Sequence, residues 1–233
     1  DLAICTVVEG IEGDFVETGV FRGGTAILMK RVIDACVDGK PPKTTIPIWL
    51  ADSFDGLPAP QGRIDRKFTR KGTGLRSRTS PDKIRRGNYR ASYDIFTADY
   101  GKMAFFDQAR GQAFADGERS EVKIIKGWFN ESLPTAPVEK ISFLRLDGDV
   151  YSSTWDGLVN LYPKVVEGGY VYLDDYGSFA GCQRATDQYR AKYNLTEPMH
   201  EVGEGVDKIP PEKVAEGVQW PAEAVWWKKG SAV

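Results

Sequence analysis

Residues 144–149 read LRLDGD, and residues 168–176 further along the chain read GGYVYLDDY. Each is an apolar β-strand pattern that ends abruptly in carboxylates. Because the carboxyl ends of strands line one crevice in an open α/β sheet, we expect Asp147, Asp174 and Asp175 to lie together there. Three close carboxylates repel one another unless a cation lies among them, and oxygen ligands favour Mg²⁺ or Ca²⁺ over zinc. One strand-end Asp alone could equally cap the helix that follows it.

The order of strands and helices along the chain predicts the fold class. Apolar patterning predicts strands at 14–19, 46–52, 121–125, 141–147 and 169–174, helices at 26–33, 91–115, 151–166 and 180–193, and antiparallel terminal strands at 198–203 and 223–229. Ser152, Ser153 and Thr154 are candidate N-caps of the third helix. The alternation predicts an α/β fold in which residues 1–233 form a single domain. Its core would be one doubly wound, mostly parallel sheet with an antiparallel C-terminal edge.

The composition excludes several classes of protein, since 41% of the 233 residues are hydrophobic and can bury one sizeable core. Cys5, Cys36 and Cys182 are an odd number without paired spacing, which favours a reducing cytoplasm over a disulfide framework or a zinc site. His200 is the only histidine, so the chain offers a single candidate for the histidine of a Ser-His-Asp triad. No apolar run reaches the roughly 18 residues that span a bilayer. The chain begins at Asp1 rather than Met, so we expect residues before it to be missing.

Basic residues concentrate in one segment. Residues 63–90 hold eleven Lys or Arg against two Asp, whereas the rest of the chain holds 20 basic and 31 acidic residues. A segment so charged does not fit a core, and its Gly, Ser and Thr content predicts a mobile loop or lid. We therefore expect a basic lid or insert over about residues 60–119.

A glycine turn follows the first predicted strand, where residues 17–19 (ETG) are followed by residues 23–24 (GG). Glycines let the backbone approach a ligand, but this spacing differs from the G-x-G-x-x-G of dinucleotide sites. Glu17 at the strand end would repel a pyrophosphate, whereas it suits the amino acid and cationic sulfonium of S-adenosylmethionine. Asp52, at the end of the second strand, could then accept hydrogen bonds from ribose hydroxyls. Residues 126–129 (KGWF) could offer an aromatic wall to the adenine.

Six motifs occur in order and together carry a family resemblance. They are ETGVFRGG at residues 17–24, ADSFDGLP at 51–58, KGWF at 126–129, LRLDGDVYSST at 144–154, LYP at 161–163 and DDY at 174–176. Over about residues 13–229 the chain closely resembles the macrocin O-methyltransferase family, whose members methylate sugar hydroxyls on bacterial natural products such as macrolides, aminocoumarins and enediynes. The resemblance implies an enzyme of antibiotic biosynthesis with a class I, Rossmann-like methyltransferase fold. It also implies S-adenosylmethionine as methyl donor and Mg²⁺ as cofactor.

The resemblance implies roles for individual residues. Asp147, Asp174 and Asp175 would hold the metal, and Asp147 would double as the general base, with Asp149 or a residue of the lid as the alternative proton acceptor. The cofactor would be held by residues at three strand ends: Glu17, Thr18, Gly19, Gly23, Gly24, Asp52, Ser53, Gly127 and Trp128. Val150 stands where related metal-dependent catechol methyltransferases place a lysine, so a lysine base of that kind is absent. The long, basic stretch at 60–119 departs from the family and leaves the acceptor's identity open.

Two other classes of function stay open. Basic loops bind phosphates, so residues 63–90 permit a nucleic-acid-binding protein or an RNA methyltransferase, although only Phe68 and Tyr89 place aromatic rings among the charges. A non-catalytic, cofactor-binding or structural subunit is the second class, and the intact carboxylate set argues against it. We expect a small-molecule glycoside acceptor and a cytoplasmic homo-oligomer, with neither nucleic acid nor membrane as a partner.

Overall fold

Seven strands form one sheet in the computed structural model, which describes residues 1–36, 46–62, 64–65, 122–202 and 223–231. The strands are β1 (Asp14–Thr18), β2 (Ile48–Asp52), β3 (Val122–Lys126), β4 (Ile141–Leu146), β5 (Val165–Leu173), β6 (His200–Val202) and β7 (Ala224–Lys228). The helices are α1 (Leu2–Val8), α2 (Gly24–Cys36), α3 (Phe129–Ser132), α4 (Tyr151–Leu161) and α5 (Ala180–Lys192), and a 3₁₀ turn (Tyr162–Lys164) joins α4 to β5.

The strands are ordered β3-β2-β1-β4-β5-β7-β6 across the sheet. The first five run parallel, and β7 pairs antiparallel with both β5 and β6. This topology confirms the predicted doubly wound, mostly parallel sheet with an antiparallel C-terminal edge. The chain order reverses between β1 and β4, where Thr18 is paired with Leu146. Ligands bind outside the carboxyl ends of strands at such a switch point, so Gly19 and Asp147, the next residues, lie at the expected crevice.

Successive residues of the central strands pack into opposite hydrophobic layers. Phe15 and Phe143 belong to the layer that contains Ile33 of α2. Val16 and Leu144, one residue further along, belong to the layer that contains buried residues of α4 and α5. Side chains of a strand alternate between its two faces, so helices on both sides of the sheet bury it from both directions. The strand ends are left as the place where polar side chains can gather.

Helix α4 is shorter than its sequence pattern predicts. The pattern predicts a helix over 151–166, but α4 ends at Leu161 and a 3₁₀ turn containing Pro163 leads directly into β5 at Val165. Proline has no N–H to continue the helical hydrogen bonds, and its ring clashes with the carbonyl four residues before it. The proline therefore ends the helix before the strand begins.

The beginning of α4 also differs from the prediction. The expected N-caps Ser152, Ser153 and Thr154 lie inside the helix, and Val150 occupies the N-cap position. The Thr154 hydroxyl donates a 3.1 Å hydrogen bond to the Val150 carbonyl, a bond that caps no backbone N–H. Because a valine side chain accepts no hydrogen bond, Val150 does not cap the first N–H groups of α4.

Several expectations concern residues outside the described part of the chain. They are the helix over 91–115, most of the insert over 60–119, and the basic segment 63–90 apart from Ile64 and Asp65. Helix α1 is not predicted from the sequence, because its short apolar pattern fits a strand or a helix equally well. Within the described ranges, no helix is long and apolar enough to cross a membrane.

Candidate active site

The loops that follow the five parallel strands line one cavity of about 630 Å³. Each loop contributes to its wall, and among the lining residues are Gly19, Asp52, Ser53, Trp128, Asp147, Asp149, Asp174 and Asp175. Sites for small molecules and cofactors have volumes of about 300–1,000 Å³ and lie at such switch points. The cavity therefore has room for a cofactor and joins the glycine turn to the strand-end carboxylates.

Three carboxylates at the ends of β4 and β5 come together. One oxygen from each of Asp147, Asp149 and Asp175 lies within 4.8 Å of the other two. Oxygens that share one Mg²⁺ at about 2.0–2.1 Å lie about 3–4 Å apart, so small side-chain rotations would let this set hold the ion. A set made only of oxygens also suits Mg²⁺ or Ca²⁺ better than zinc. The donor set fits the predicted metal.

A tight turn after β4 brings Asp149 into this set. Its φ of +57° is in the left-handed region, which is uncommon for a residue other than glycine. At Gly148 an added Cβ would lie only 2.7 Å from Cβ of Ser153, so the turn needs a glycine there. The Asp149 N–H donates a 3.1 Å hydrogen bond to Oδ2 of Asp175. This bond ties the β4 loop to the β5 loop.

Asp174, which we also expect to bind the metal, lies against the buried side chain of Arg145. Nη2 of Arg145 is 2.9 Å from Asp174 Oδ1, and its Nη1 is 2.7 Å from Asp147 Oδ2 and 2.8 Å from Glu17 Oε1. One cation therefore lies between carboxylates from three neighbouring strands. The assignment of Asp174 to the metal stays a prediction.

Glu17 is 1% exposed at the end of β1. Burial raises the pKa of its carboxyl from 4.5 to about 8, against the attraction of Arg145. Its Oε2 is buried and has no hydrogen-bond partner within the described part of the chain. Among the described residues Glu17 does not line the cavity, so its predicted contact with the cofactor stays a prediction.

Burial also raises the pKa of the two most central carboxyls. For Asp147 burial outweighs the attraction of Arg145, and the charge of Asp174 raises the pKa further. For Asp175 burial is again the largest cause, followed by the charges of Asp149 and Asp147. A cation among these groups would favour their charged forms. The raised pKa values and the oxygen-only ligand set therefore both favour a cation bound within this cluster.

Gly19 marks the closest approach between the β1 and β4 loops. Its φ is +80°, and an added Cβ would lie 1.7 Å from the carbonyl oxygen of Asp147. Gly23 has a φ of +77°, and Gly24 begins α2. Gly19 lines the cavity, whereas Thr18, Gly23 and Gly24 are absent from its lining within the described ranges. Their predicted roles at the cofactor therefore stay predictions.

Asp52 fixes the shape of the glycine turn and also lines the cavity. Its Oδ2 accepts a 2.8 Å hydrogen bond from the Val20 N–H, and its Oδ1 accepts a 2.7 Å bond from the Phe54 N–H. A carboxylate offers about four acceptor positions, so Asp52 can still accept hydrogen bonds from a ligand. The structure therefore brings this predicted residue to a position that allows its predicted role.

Ser53 and Trp128 complete the wall on this side of the cavity. The Ser53 hydroxyl donates to the Gly56 carbonyl at 2.9 Å, which holds the β2 loop in a turn. Gly127, with a φ of +141°, turns the chain between β3 and Trp128, and its N–H donates to the Asp52 carbonyl at 2.9 Å. Gly127 itself is not among the described residues that line the cavity, so its role at the cofactor stays a prediction.

Arg145 is the main participant that the sequence analysis does not predict. A signal for it exists in the LRLDGD motif, where an arginine interrupts an apolar strand whose residues are all buried. Arginine is almost never buried without a partner, so a carboxylate on a neighbouring strand could have been expected. Glu17, in the adjacent strand, is paired with Arg145 in the β1–β4 register.

Comparison with known protein families matches residues 2–105 and 112–206 to the macrocin-O-methyltransferase (TylF) family. The chain belongs to this family. The matched residues include all five parallel strands and the loops that line the cavity. The family membership therefore covers the site as well as the fold.

Two relatives of this chain come from Streptomyces species. A demethyldecarbamoylnovobiocin O-methyltransferase from Streptomyces niveus is 38% identical over 192 residues, which cover 81% of this chain and 62% of that protein. An 8-demethyl-8-(2,3-dimethoxy-alpha-L-rhamnosyl)-tetracenomycin-C 4'-O-methyltransferase from Streptomyces olivaceus is 34% identical over 204 residues, covering 86% of this chain and 67% of that protein. The chain thus spans about two thirds of the length of these relatives.

The solved structure of the O-methyltransferase NovP resembles the structure of this chain. The two chains are 30% identical with a TM-score of 0.66, over 99% of this chain and 77% of NovP. Together with the strand order, this likeness confirms the class I, Rossmann-like methyltransferase fold that the resemblance implies.

Proposed function

We propose that this chain transfers a methyl group from S-adenosylmethionine to a sugar hydroxyl of a glycosylated bacterial natural product, with Mg²⁺ as its metal. Family membership supports methyl transfer to oxygen. The names of the two Streptomyces relatives support the substrate class, since both compounds are natural products and one name specifies a rhamnosyl group.

The observation that carries the proposal is that one cavity joins two sets of residues. The loops after β1, β2 and β3 contribute Gly19, Asp52 and Trp128, and the loops after β4 and β5 contribute Asp147 and Asp175. Methyl transfer is an in-line displacement in which an oxygen must come within about 3–3.5 Å of the methyl carbon. A single cavity lined by both sets of residues allows donor and acceptor to meet in this way.

On the cofactor side, the residues act by binding and orienting. Gly19 lines the cavity, and its missing side chain leaves room for the Asp147 carbonyl, so the β1 and β4 loops together form the backbone surface against which a ligand would lie. The free acceptor positions of Asp52 suit vicinal hydroxyls such as those of a ribose. Trp128 offers an aromatic face to a purine ring. These roles for Gly19, Asp52 and Trp128 are part of the proposal.

On the acceptor side, carboxylates of the β4 and β5 loops hold the metal and move the proton. The sequence favours Asp147, Asp174 and Asp175 as ligands, and the geometry adds Asp149, whose oxygen lies within 4.8 Å of those of Asp147 and Asp175. Mg²⁺ bound there would act as a Lewis acid that lowers the pKa of a bound sugar hydroxyl. Asp147 is our candidate general base, and Asp149 is the alternative.

The test is a methyl-transfer assay with radiolabelled S-adenosylmethionine and a panel of glycosylated natural products, with total RNA as a second substrate class. We expect labelled glycoside in the presence of Mg²⁺ and none in excess chelator. Labelled RNA without labelled glycoside would instead favour the RNA methyltransferase. Undiminished turnover in chelator would remove the metal from the mechanism. Homo-oligomeric assembly, a cytoplasmic location and the basic insert over 60–119 stay predictions.

A further inference from the structure

Asp65 is a buried carboxylate that the proposed reaction does not use. It is 2% exposed, although it belongs to the basic segment 63–90, whose charge predicts a surface loop. Its Oδ1 accepts a 2.7 Å hydrogen bond from the N–H of Tyr151, the first residue of α4. Its Oδ2 accepts a 2.6 Å bond from the N–H of Gln61. Both oxygens of Asp65 are therefore engaged with backbone from different parts of the chain.

Asp65 supplies the cap that α4 lacks locally. The N-cap residue Val150 has no acceptor in its side chain, and the first N–H groups of a helix need one. A negative charge at this position is also favoured by the helix dipole. The capped residue, Tyr151, is only two residues from Asp149 and four from Asp147. The cap thus holds the end of the loop that carries the carboxylates.

Asp65 also lies against the first turn of α5, where the chain has made room for it. An added Cβ at Gly181 would lie 2.0 Å from Oδ1 of Asp65 and 2.7 Å from the Tyr151 backbone nitrogen. Helix α5 follows the β5 loop that contains Asp175. One carboxylate therefore lies where the loops after β4 and β5 both lead into their helices.

The bond from Gln61 extends the same contact to the segment that follows β2. Residues 53–58 follow β2, and Ser53, Gly56, Leu57 and Pro58 line the cavity on the side that the proposed function gives to the cofactor. The chain runs from Pro58 to Gln61 in three residues. Asp65 therefore connects the cofactor wall to the loop that carries the carboxylates.

We propose that Asp65 is a positioning residue that fixes the distance between the cofactor wall at 53–58 and the carboxylate loop at 147–149. The proposal rests on the proposed function, because these two parts of the cavity would hold the methyl donor and the acceptor. A misplacement of about 1 Å between reacting groups can lower a rate by about 100-fold. Loss of Asp65 should therefore lower kcat while each wall still binds its own ligand.

The test compares Asp65→Ala and Asp65→Asn with Asp14→Ala in the full protein. Asparagine keeps one acceptor oxygen, so it can bond Tyr151 or Gln61 but not both. Asp14 is a matched control, because its carboxylate accepts a 2.7 Å bond from Trp49 Nε1 at the other end of the sheet. All variants are assayed at a temperature at which circular dichroism shows that they are folded.

We expect Asp65→Ala to lower kcat by about 10- to 100-fold while the KM for S-adenosylmethionine changes by less than about threefold. Asp65→Asn should lie between it and the wild type, and Asp14→Ala should keep the wild-type kcat. An Asp65→Ala protein that loses thermal stability but keeps kcat within about twofold would show a helix cap only and overturn the proposal. A raised KM with unchanged kcat would overturn it as well.

Amide hydrogen exchange tests the same contact without turnover. Asp65→Ala should speed the exchange of the Gln61, Asp149 and Tyr151 amides together, whereas Asp14→Ala should leave all three unchanged. Faster exchange at Tyr151 alone would overturn the connection between the two walls. A wild-type protein that methylates no substrate would overturn the proposed function, and the exchange pattern would still decide the role of Asp65.

Discussion

Nη1 of Arg145 lies 2.8 Å from Oε1 of Glu17, and the arginine side chain is 11% exposed while the glutamate is 1% exposed. The same guanidinium also reaches Asp147 and Asp174. Burial disfavours the charged form of each group, and the guanidinium of Arg145 offsets part of that cost for the carboxyls that are ionised. Glu17, the most deeply buried of the three, has the pKa of about 8 and keeps its proton over the widest pH range. The positive charge of Arg145 therefore compensates negative charge in the loops after β4 and β5.

Replacing Arg145 by leucine should destabilise the fold strongly. Removing one partner of a buried ion pair costs about 3–5 kcal/mol, because the remaining charges lose their compensation. Arg145→Lys should cost less, since it keeps the charge but loses the planar fork that reaches several carboxylates. Denaturant unfolding measures both changes. Lys228→Met, which breaks the exposed pair with Glu9, is the control and should change little. A leucine variant as stable as the wild type would contradict this account.

The raised pKa of Glu17 predicts a pH-dependent stability. The carboxyl has a pKa of about 8 when folded and 4.5 when free, so between these values the folded state binds a proton that the unfolded state has released. Stability should therefore fall as pH rises from about 4.5 to about 8, by at most about 1.4 kcal/mol per pH unit. Glu17→Gln removes this titration and should flatten the curve.

Thermal unfolding of the ligand-free protein at pH 6 and pH 8 measures this dependence. Other buried carboxyls titrate in the same direction, so the quantity of interest is the difference in slope between wild type and Glu17→Gln. Equal slopes would mean that Glu17 is ionised in the folded protein throughout this range.

Asp52→Asn should weaken the binding of S-adenosylmethionine by roughly 1–3 kcal/mol, the range for the loss of hydrogen bonds to a charged group. Asparagine replaces one carboxylate oxygen by a donor, so it loses an acceptor for the ligand or for the N–H of Val20 or Phe54. Isothermal calorimetry measures the affinity. Asp55→Asn, at an exposed neighbour outside the cavity wall, is the matched control. Unchanged affinity in Asp52→Asn would remove Asp52 from the cofactor site.

Asp147→Asn should lower kcat by at least ~100-fold, the usual size of a general-base contribution, while Mg²⁺ and cofactor still bind. Asparagine keeps one ligand oxygen but does not accept the proton. Turnover in saturating Mg²⁺ and calorimetry with the metal separate the two effects. Asp149→Asn is the comparison, because its carboxylate is the alternative proton acceptor. If Asp147→Asn keeps a near-normal kcat and Asp149→Asn does not, the base is Asp149.

Gly19→Ala should be far more damaging than Gly24→Ala. At Gly19 the new methyl group would lie 1.7 Å from the Asp147 carbonyl oxygen in left-handed backbone, whereas at Gly24 an added Cβ has no neighbour within 4 Å among the described residues. Strained backbone costs about 1–3 kcal/mol, and overpacking typically adds a similar amount. Chemical denaturation measures the difference between the two variants. Equal stability would mean that the β1 and β4 loops can separate at little cost.

Strands were the most predictable part of this protein. Strand β4 is buried along its whole length, and its largely apolar pattern, interrupted at Ser142 and Arg145, is typical of a strand covered on both faces. The sharp change from apolar to acidic residues then marks the strand end, which is why the sequence predicts Asp147 and Asp175 at one cavity, where the structure places both. A prediction of this kind depends only on the residues of the strand itself.

Contacts between distant segments could not be predicted in this way. Whether Asp149 or Asp174 approaches the other carboxylates depends on a left-handed turn and on which carboxylates of other strands Arg145 contacts, and the local sequence does not determine either. The cap of α4 is similar, because Ser152, Ser153 and Thr154 have the residue types of a cap while Asp65 has the position. Residue type suggests which groups can bond, and only the fold decides which of them meet.

Helix α4 receives the acceptor for its first N–H from a residue 86 positions earlier in the chain. A local cap can form together with its helix, whereas a distant one waits until the intervening chain has closed into a loop, at an entropic cost that grows with loop length. We therefore expect the bond between Asp65 and Tyr151 to form on the late side of the folding barrier. A contact formed that late governs the rate of unfolding more than the rate of folding. Helix α4, which follows the carboxylate loop, would then stay folded mainly because it unfolds slowly.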